Sequence, residues 1–416
     1  MSIKTIAFFF PYHEVSGVPV LFLNIAKYLG DKDPEINVKI IDYENGYMSS
    51  SLEGNDKIEK IIFETSKPLF IDVDIVIMQS ILPFAMRPEI QFSTNTRLMF
   101  WNLHPDNLTP NLYPFVIVRK YYPNIYRNIL SIFWKRKLKL MRNFVENAIQ
   151  LNSLSFMDSA NLNNTNFFLS TDINNVSFLP IACSNGVKRE DVINKDFVEL
   201  NFSWVGRICD FKIHILNYLI LRLSEVAKNL RLKICLHIIG DGPEIRNLNT
   251  KSHLHKNFRI TLVGLLSKEK MDSYLYSEID INASMGTSVL ESAKFGIPSI
   301  VLDFDYKVIN KKYRFRWLHE TINYDLGHLI NEENSVNKDH ELIDMTNEFI
   351  NNSSVVSEKS FNYYVANHTL ESVSNKLKKQ IEKSKLTITD INPDLLKKSL
   401  LRRLYEYKKY KYYRYD

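Results

Sequence analysis

Short apolar runs alternate with longer amphipathic stretches along the first half of the chain. Runs rich in Ile, Val and Phe predict strands at Lys4–Phe10, Val38–Asp42, Lys60–Phe63, Ile75–Met78, Leu98–Asn102, Leu151–Phe156 and Val176–Leu179. Nearly continuous apolar strands are typical of a parallel sheet that is buried on both faces. Helical stretches such as Val18–Leu29 separate these strands, and the alternation predicts a doubly wound, Rossmann-like α/β domain.

The alternation begins again near residue 200. Strands are predicted at Phe202–Val205, Leu236–Ile239, Ile260–Val263, Ile279–Ile281 and Ser299–Leu302, with helices at Ile213–Asn229, 267–277 and 287–295. Beyond residue 305 the pattern indicates helices at 338–350, 356–366 and 367–385. We therefore predict a Rossmann-like domain over 1–190, a second over 196–365, C-terminal helices with a basic tail over 366–416, and a polar linker at Asn185–Glu199.

Composition fits a globular protein and excludes several other classes. Of the 416 residues, 45% are hydrophobic and 24% are charged, and no apolar run approaches the ~18 residues that a membrane-spanning helix needs. The apolar start of the chain is short and lacks a small-residue cleavage site, so we expect a strand there rather than a signal peptide. The three cysteines are too scattered for a disulfide framework or a zinc site, and we expect a cytoplasmic protein.

Positive charge is concentrated in two segments, although the net charge of +6 is too weak to indicate nucleic acid binding. The basic segment, residues 119–142, has no acidic residue and contains Arg119, Lys120, Arg127, Lys135, Arg136, Lys137, Lys139 and Arg142 among aromatic residues. This composition suits an amphipathic helix on an anionic membrane, and the alternative is a solvated helix packed on the core. The tail is similar, with Lys397, Lys398, Arg402, Arg403, Lys408, Lys409, Lys411 and Arg414, or it is disordered and without function.

Chemistry is expected in the loops of the second domain, because ligands of doubly wound sheets bind beyond the carboxyl ends of the strands. The first loop contains Gly206, Arg207 and Lys212. The glycine permits close approach, and the two cations at a helix start suit a diphosphate; two solvated surface cations are the alternative. In the second loop, Gly240–Pro243 closes a strand sharply and permits ligand contact, or is an ordinary tight turn.

Two further loops complete the predicted edge of this domain. In the third loop, backbone groups at Leu265 can read the edge of a nucleobase. In the fourth, Gly286, Thr287 and Ser288 offer backbone N–H groups and two hydroxyls that suit an anion. Glu291 follows about one helical turn later, where a carboxylate can accept the paired hydroxyls of a ribose; the alternative is an acid in the first turn that complements the helix dipole.

These four loops resemble the donor half of the retaining GT-B glycosyltransferases, most closely glycosyltransferase family 4. The matching residues are Val205-Gly206-Arg207, Lys212, Gly240-Asp241-Gly242-Pro243, Gly264, and Glu291 through Gly296 and Pro298. The resemblance covers about residues 200–302. It implies an α/β protein of GT-B architecture, in which two doubly wound Rossmann-like domains face a cleft and the C-terminal helices return to the first, acceptor-side domain.

The resemblance also implies roles for single residues. Arg207 and Lys212 would hold the donor pyrophosphate, and Glu291 would bind the ribose. In the first domain, the loop at Gly17 looks like the glycine loop of the family, and His104 looks like its strand-end histidine, which would face the donor sugar; a surface histidine is the alternative. The candidate catalytic residues are therefore His104, Arg207, Lys212 and Glu291, and the candidate donor-binding residues are Gly17, Gly206, Gly240, Asp241, Gly242, Leu265, Gly286, Thr287 and Ser288.

One residue departs from the family pattern. Ala283 stands eight residues before Glu291, where the family has a first glutamate that helps to hold the transferred sugar. This departure puts the donor sugar in question and supports an alternative function, a nucleotide-sugar-binding subunit that scaffolds a glycan assembly complex without catalysis. A nucleotide-sugar 2-epimerase shares the two-domain architecture and is a second alternative, which the pairing of Val205-Gly206-Arg207 with Lys212 disfavours.

The implied reaction transfers a hexosyl group from a nucleotide sugar to a glycan or lipid-linked acceptor, with anomeric retention, in polysaccharide or cell-surface glycan biosynthesis. We expect no metal and no other cofactor, because Arg207, Lys212 and the helix starts can stabilise the diphosphate leaving group. Asp303-Phe304-Asp305 has the spelling of a metal motif but follows the last core strand. The expected partners are the nucleotide sugar, the acceptor and an anionic membrane surface, which would place the protein in the cytoplasm on the inner face of the cell membrane.

Overall fold

The computed structural model describes residues 3–52, 54, 56–64, 67–80, 90–109, 116–190, 198–249, 254–309, 313–330 and 339–396. The chain divides into two compact units: the first comprises Met1–Ile181 and Val373–Asp416, and the second comprises Ala182–Ser372. The predicted linker thus begins inside the second unit, and its residues 191–197 fall outside the described residues. The basic residues predicted in the tail also lie outside them.

The first unit is built around a parallel sheet. Its described strands are β1 (Thr5–Phe9), β2 (Asn37–Asp42), β3 (Ile58–Ile62), β4 (Leu69–Ile71), β5 (Ile75–Gln79), β6 (Ile90–Phe92), β7 (Arg97–Asn102), β8 (Leu154–Phe156) and β9 (Ser177–Phe178). The order in the sheet is β3-β2-β1-β5-β7-β8-β9, and every neighbouring pair is parallel. All residues of β5 are buried, as expected for a strand covered on both faces. The short strands β4 and β6 form a separate pair that the apolar pattern did not predict.

The described helices of this part of the chain are α1 (Gly17–Lys32), α2 (Tyr47–Ser50), α3 (Val116–Tyr121), α4 (Pro123–Phe133), α5 (Lys135–Gln150) and α6 (Ser159–Leu169). The basic segment is therefore not one helix, as its composition suggested, but is divided among α3, α4 and α5. Pro123 opens α4, where its missing N–H removes no helical hydrogen bond. Trp134 separates α4 from α5 with a φ of −125°. The four most closely spaced cations of the basic segment, Lys135, Arg136, Lys137 and Lys139, lie in the first turns of α5.

The second unit repeats the alternation of strands and helices. Its described strands are β10 (Glu199–Val205), β11 (Lys233–Ile239), β12 (Phe258–Gly264), β13 (Ile281–Ser284), β14 (Ser299–Val301) and β15 (Arg316–Trp317). Its described helices are α7 (Ile213–Asn229), α8 (Lys268–Glu278), α9 (Thr287–Ala293) and α10 (Leu342–His368). The sheet order is β12-β11-β10-β13-β14-β15, parallel except for the antiparallel β15. Only two residues long, β15 was not predicted, and β13 starts at Ile281 rather than Ile279.

The C-terminal part of the chain returns to the first unit, as predicted. After α10, which the backbone of Asn352 interrupts with a φ of −140°, come α11 (Leu370–Lys383) and α12 (Pro393–Leu396). The backbone N–H of Leu98 on β7 donates to the carbonyl of Leu386 over 2.8 Å. Arg97 Nη1 donates to the carbonyl of Ser384 over 3.2 Å. These bonds tie the chain that follows α11 to the first sheet.

The strand order decides where a ligand can bind. In each sheet the direction of winding reverses beside the first strand, at β1 in one unit and at β10 in the other. The loops that leave β10 and its neighbour β13 therefore diverge at the carboxyl edge, which is the edge where doubly wound sheets usually bind ligands. Within the described ranges, no helix combines the length and apolar character needed to cross a membrane.

We expect Leu386→Ala to lower the free energy of unfolding by about 2–5 kcal/mol, because the side chain is fully buried in the core of the first unit and its loss leaves a cavity. Urea unfolding measures the change. Leu221→Ala is the matched control, since Leu221 on α7 is 43% exposed. Equal losses in the two variants would contradict a contribution of the returning segment to the first core.

Candidate functional site

A pocket of about 470 Å³ lies at the carboxyl edge of the second sheet. It is lined by Val205, Gly206, Arg207, Ile239, Gly240, Asp241, Gly242, Leu265, Leu266 and Met271. These residues come from the ends of β10 and β11, from the loop after β12 and from the start of α8. The structure thus brings the predicted glycines of the first two loops together with Arg207, Asp241 and Leu265.

The loops around the pocket are tied to one another by backbone contacts. The N–H of Gly206 donates to the carbonyl of Ile239 over 3.0 Å, and the N–H of Gly240 donates to the carbonyl of Gly264 over 2.8 Å. A Cβ on Gly240 would lie only 1.9 Å from the carbonyl oxygen of Gly206, and one on Gly242 would lie 2.0 Å from that of Ile208. Only glycine allows this close approach. The glycines of the second loop are therefore required by packing, whatever they contact in a ligand.

Two cations without a counter-ion lie at this pocket. Arg207 lines it and is exposed, and Lys212 Nζ lies 3.3 Å from the point that a Cβ on Gly206 would occupy. Neither cation forms an ion pair with any described carboxylate. Burial lowers the pKa of Lys212, because the ammonium loses solvation there without gaining an acidic neighbour. An anion bound beside Gly206 would supply the missing partner of both side chains.

The other walls of the pocket differ from this basic side. Leu265 is 77% exposed, and with Leu266 and Met271 it forms an apolar surface that suits a flat ring. The carboxylate of Asp241 accepts a hydrogen bond from the N–H of Gly242 over 2.7 Å, so it is engaged within its own loop. The pocket therefore combines cations with an apolar surface, and this combination fits a nucleoside diphosphate.

The fourth predicted loop lies next to the pocket but does not line it. We call residues Met285–Ser288 the donor turn. The strand before it, β13, pairs with β10, and Ser284 Oγ accepts a hydrogen bond from the N–H of Val205 over 3.0 Å. Gly286 has a φ of +63° and opens α9, with Thr287 exposed at its first position. The donor turn thus follows the strand beside the one that leads to Gly206.

Glu291 is already engaged by two lysines. Its Oε2 is 2.8 Å from Lys294 Nζ and also contacts Lys268 Nζ, and both lysines contact Asp272. Glu291 is the fifth residue of α9 rather than a first-turn acid, so the helix-dipole alternative does not describe it. Sequence analysis missed Lys268, Asp272 and Lys294, although the i,i+4 spacing of the first two and the i,i+3 spacing of Glu291 and Lys294 are typical of helical ion pairs.

Ala283, where the family places a glutamate, is fully buried on β13 and belongs to the core of the second unit. Its neighbours along the strand, Asn282 and Ser284, are also buried, and Asn282 Oδ1 accepts hydrogen bonds from Ser203 and Ser284. The end of β13 therefore presents no carboxylate toward a ligand.

One acidic cluster near the donor turn has the composition of a metal site. Ligand atoms of Asp303, Asp325 and His328 lie within 4.8 Å of one another. However, the guanidinium of Arg316 donates two hydrogen bonds of 2.7 Å to Asp303 and one of 3.2 Å to Asp325. Because this fixed cation already neutralises one carboxylate and contacts the other, we assign the cluster to a buried ion-pair network.

Gly17 and His104 belong to the first unit. Gly17 is exposed at the first position of α1, after β1, and nothing lies within 4 Å of the point that its Cβ would occupy. His104 is exposed in the turn after β7, where its Nδ1 accepts the N–H of Asp106 over 3.1 Å. This contact assigns the proton of the neutral imidazole to Nε2.

Several solved structures share the fold of most of this chain. The lipopolysaccharide outer core galactosyltransferase WaaB has a TM-score of 0.54 and 12% identity, covering 92% of this chain and 100% of that protein. A glycosyltransferase from Rickettsia africae has a TM-score of 0.50 and 15% identity over 92% and 100%. TarM has a TM-score of 0.51 and 11% identity over 91% and 99%. No family model and no curated protein sequence matches the chain. At these identities the likeness is one of fold, and it confirms the predicted GT-B fold class.

We expect Arg207→Ala and Lys212→Ala each to weaken nucleoside diphosphate binding by about 1.5–3 kcal/mol, the typical contribution of a charge-assisted hydrogen bond. Calorimetric titration with UDP, GDP, ADP and CDP measures the loss for whichever nucleotide binds the wild-type chain. Lys228→Ala removes an exposed cation from the last turn of α7 and serves as the control. Unchanged affinity in both pocket variants would remove these residues from the site.

Proposed function

We propose that the chain is a glycosyltransferase that takes a hexosyl group from a nucleotide diphosphate sugar. The proposal rests mainly on Arg207 and Lys212, two cations that form no ion pair with a described carboxylate and lie at a pocket that also has an apolar wall. A nucleoside diphosphate supplies both missing partners, with the diphosphate on the cations and the base on the wall at Leu265. The GT-B fold supports the same function, since the solved structures that share it include glycosyltransferases.

The proposed reaction proceeds with retention at the anomeric carbon. The bond from that carbon to the diphosphate oxygen breaks, and the electron pair leaves with the nucleoside diphosphate. The acceptor hydroxyl forms the new bond on the same face, and its proton passes to the departing phosphate oxygen, so no protein base is needed. Arg207 and Lys212 favour this step because negative charge on the leaving group is larger in the transition state than in the bound donor. These residues fit a reaction that uses neither a metal nor another cofactor.

Glu291 takes a supporting role in this proposal. Both lysine contacts of Glu291 use Oε2, so Oε1 can accept a ribose hydroxyl while the lysines fix the orientation of the carboxylate. The role of His104 toward the transferred sugar stays a prediction of the resemblance. The backbone of the donor turn, with Thr287 and Ser288, provides further donors for sugar or phosphate oxygens.

The buried Ala283 favours a second candidate, a subunit that binds a nucleotide sugar without transferring it. The two functions are separated by measuring release of nucleoside diphosphate from a panel of UDP-, GDP-, ADP- and CDP-sugars, with lipid-linked glycan as acceptor. We expect release that depends on the acceptor and is lowered at least tenfold by Lys212→Ala, because the leaving group loses a charge-assisted contact. Ligand-induced thermal stabilisation without turnover would support the non-catalytic subunit instead.

We further propose that the acceptor is reached at an anionic membrane surface, with the protein peripheral on its cytoplasmic face. An exposed apolar face is formed by α3, α4 and the residue between them. Ile117 is 70% exposed, Ile132 is 71% exposed and Phe133 is 75% exposed, and Tyr122 and Ile125 are also exposed. Ile125 and Ile132 are seven residues apart, so they share one face of α4. Such residues suit insertion at the level of lipid headgroups.

The cations beside this face are a subset of those predicted. Lys135, Arg136 and Lys139 are exposed in the first turns of α5, and Lys137 lies over the ring of Trp134 at 4.9 Å. Arg119 instead pairs with Asp106 at 2.6 Å, and Arg127 lies over Phe167 at 4.6 Å. Arg136 pairs with Asp394 at 2.9 Å, so Lys135, Lys137 and Lys139 at the start of α5 are the cations that this proposal relies on most.

We expect the chain to co-sediment with phosphatidylcholine vesicles only when they contain phosphatidylglycerol, and to be released by salt, since each cation contributes about 1 kcal/mol and acts within roughly 10 Å. Changing Lys135, Arg136, Lys137 and Lys139 to Gln should abolish sedimentation without changing nucleotide affinity. Ile132→Ser with Phe133→Ser should weaken it as well.

Two matched variants control for charge and for apolar surface elsewhere. Changing Lys228, Arg231, Lys233 and Lys256 to Gln removes four exposed cations from the second unit. Phe70→Ser with Ile322→Ser removes two apolar side chains that are 65% and 67% exposed. If the wild-type chain ignores anionic vesicles at low salt, the basic segment is a solvated surface and a soluble acceptor becomes the better hypothesis.

A further inference from the structure

A buried ion-pair network lies directly behind the donor turn. It consists of Asp303 after β14, Arg316 on β15, and Asp325 and His328 in the segment that follows. We call residues Asp325–His328 the support segment. Asp303, Arg316 and Asp325 are each less than a tenth exposed. His328 Nδ1 lies 2.7 Å from Asp325 and 3.2 Å from Asp303. The phenol of Tyr313 also contacts Asp303, and Arg316 Nη2 lies 3.4 Å from His328 Nδ1.

The network fixes the backbone of the support segment as well as its side chains. Asp325 Oδ1 accepts the N–H of Gly327 over 2.8 Å, and Asp303 Oδ1 accepts the N–H of His328 over 3.0 Å. Two consecutive peptide groups are therefore held by the carboxylates of the network. Loss of a buried acceptor would leave each N–H without a partner, which costs free energy.

The support segment in turn fixes the donor turn. The carbonyl of Leu326 accepts the N–H of Gly286 over 2.7 Å. Gly327 has a φ of +115°, and a Cβ there would lie 2.4 Å from the carbonyl oxygen of Leu302 and 3.2 Å from the Cβ of Met285. The segment thus packs between the end of β14 and the donor turn, and contacts on both sides restrict its movement. A displacement of Gly327 would reach Gly286 through one hydrogen bond.

We propose that Asp303, Arg316, Asp325 and His328 are positioning residues that set the conformation of the donor turn, and that protonation of His328 strengthens nucleotide binding. With His328 protonated, two cations balance two carboxylates; with His328 neutral, the network carries an excess negative charge behind the turn. This inference rests on the proposed function, because it requires that the donor turn contacts the phosphates of the nucleotide sugar.

The charges around His328 set the direction of the effect. Burial lowers the pKa of His328, but the hydrogen bond to Asp325 and the charges of Asp303 and Asp325 raise it by more, so it lies above its ordinary value of 6.5 although Arg316 opposes them. Asp339 also faces the network. Because the nucleotide binds the folded chain, the effect is present where His328 is protonated and is lost as the pH rises through the raised folded pKa of His328.

The test is calorimetric titration of the full chain with UDP, GDP, ADP and CDP at pH 6 and at pH 8.5. His328→Asn keeps an N–H where Nδ1 donates to Asp325 but cannot take a charge, whereas His328→Ala removes both. We expect the affinity of the wild-type chain to fall by roughly fivefold more than that of His328→Asn over this range, the lower end of coupling between linked sites. His328→Ala should bind weakly at both values.

Comparison between variants removes the other sources of pH dependence, since the lowered pKa of Lys212 and the titration of the nucleotide act on every variant alike. His255→Asn, at the opposite edge of the sheet before β12, should follow the wild-type chain. If His328→Asn declines as steeply as the wild-type chain, the inference is overturned while the proposed function stands. If no nucleoside diphosphate binds at either pH, the proposed function fails and the inference fails with it.

Discussion

The backbone contact between Gly206 and Gly240 determines what the candidate site can be. Because the two loops touch through a carbonyl oxygen and an α-carbon, the ends of β10 and β11 are held at a fixed separation without help from side chains. The N–H of Ile208 donates to the carbonyl of Asp241 over 2.9 Å and closes the same contact from the other side. Arg207 and Lys212 are therefore placed by the backbone beneath them, and neither needs an ion pair to stay in position.

Lys212 differs in this respect from Lys268 and Lys294, two other lysines of the second unit. Lys294 has a side chain that is only 3% exposed, and it shares Glu291 and Asp272 with Lys268, so the charges of this cluster cancel. Lys212 is also largely withdrawn from water but has no described carboxylate beside it, and its pKa is lowered rather than raised. A buried charge that is left unpaired costs stability unless a ligand completes it. Lys268 and Lys294 therefore stabilise the packing of α8 and α9, whereas Lys212 is left at the pocket as a positive charge that a bound anion can neutralise.

The apolar pattern and the loop motifs predicted the parallel sheets, the bounds of α7 and most of the pocket-lining residues, because strand ends in doubly wound sheets converge whatever the side chains are. They did not predict β15 or the support segment. Arg316 stands on a two-residue strand, and its partners Asp303, Asp325 and His328 are spaced irregularly in regions without periodicity. Such pairing depends on tertiary packing and cannot be predicted from the local spacing of residues in the sequence. The engagement of Glu291 by Lys268 is similar, since 23 residues separate the partners.

The two halves of the site differ in how charge is used. In the proposed complex, Arg207 and Lys212 face the diphosphate directly. At the donor turn the family glutamate is replaced by the buried Ala283, and the nearby carboxylates of Asp303 and Asp325 lie behind the turn, where Arg316 neutralises them. A carboxylate in front of the turn would bind sugar hydroxyls itself, whereas carboxylates behind it act only through the backbone of Gly286. Under the proposed function, selectivity at this end comes from the shape and N–H groups of the turn, and recognition then depends on the rigidity of the support segment.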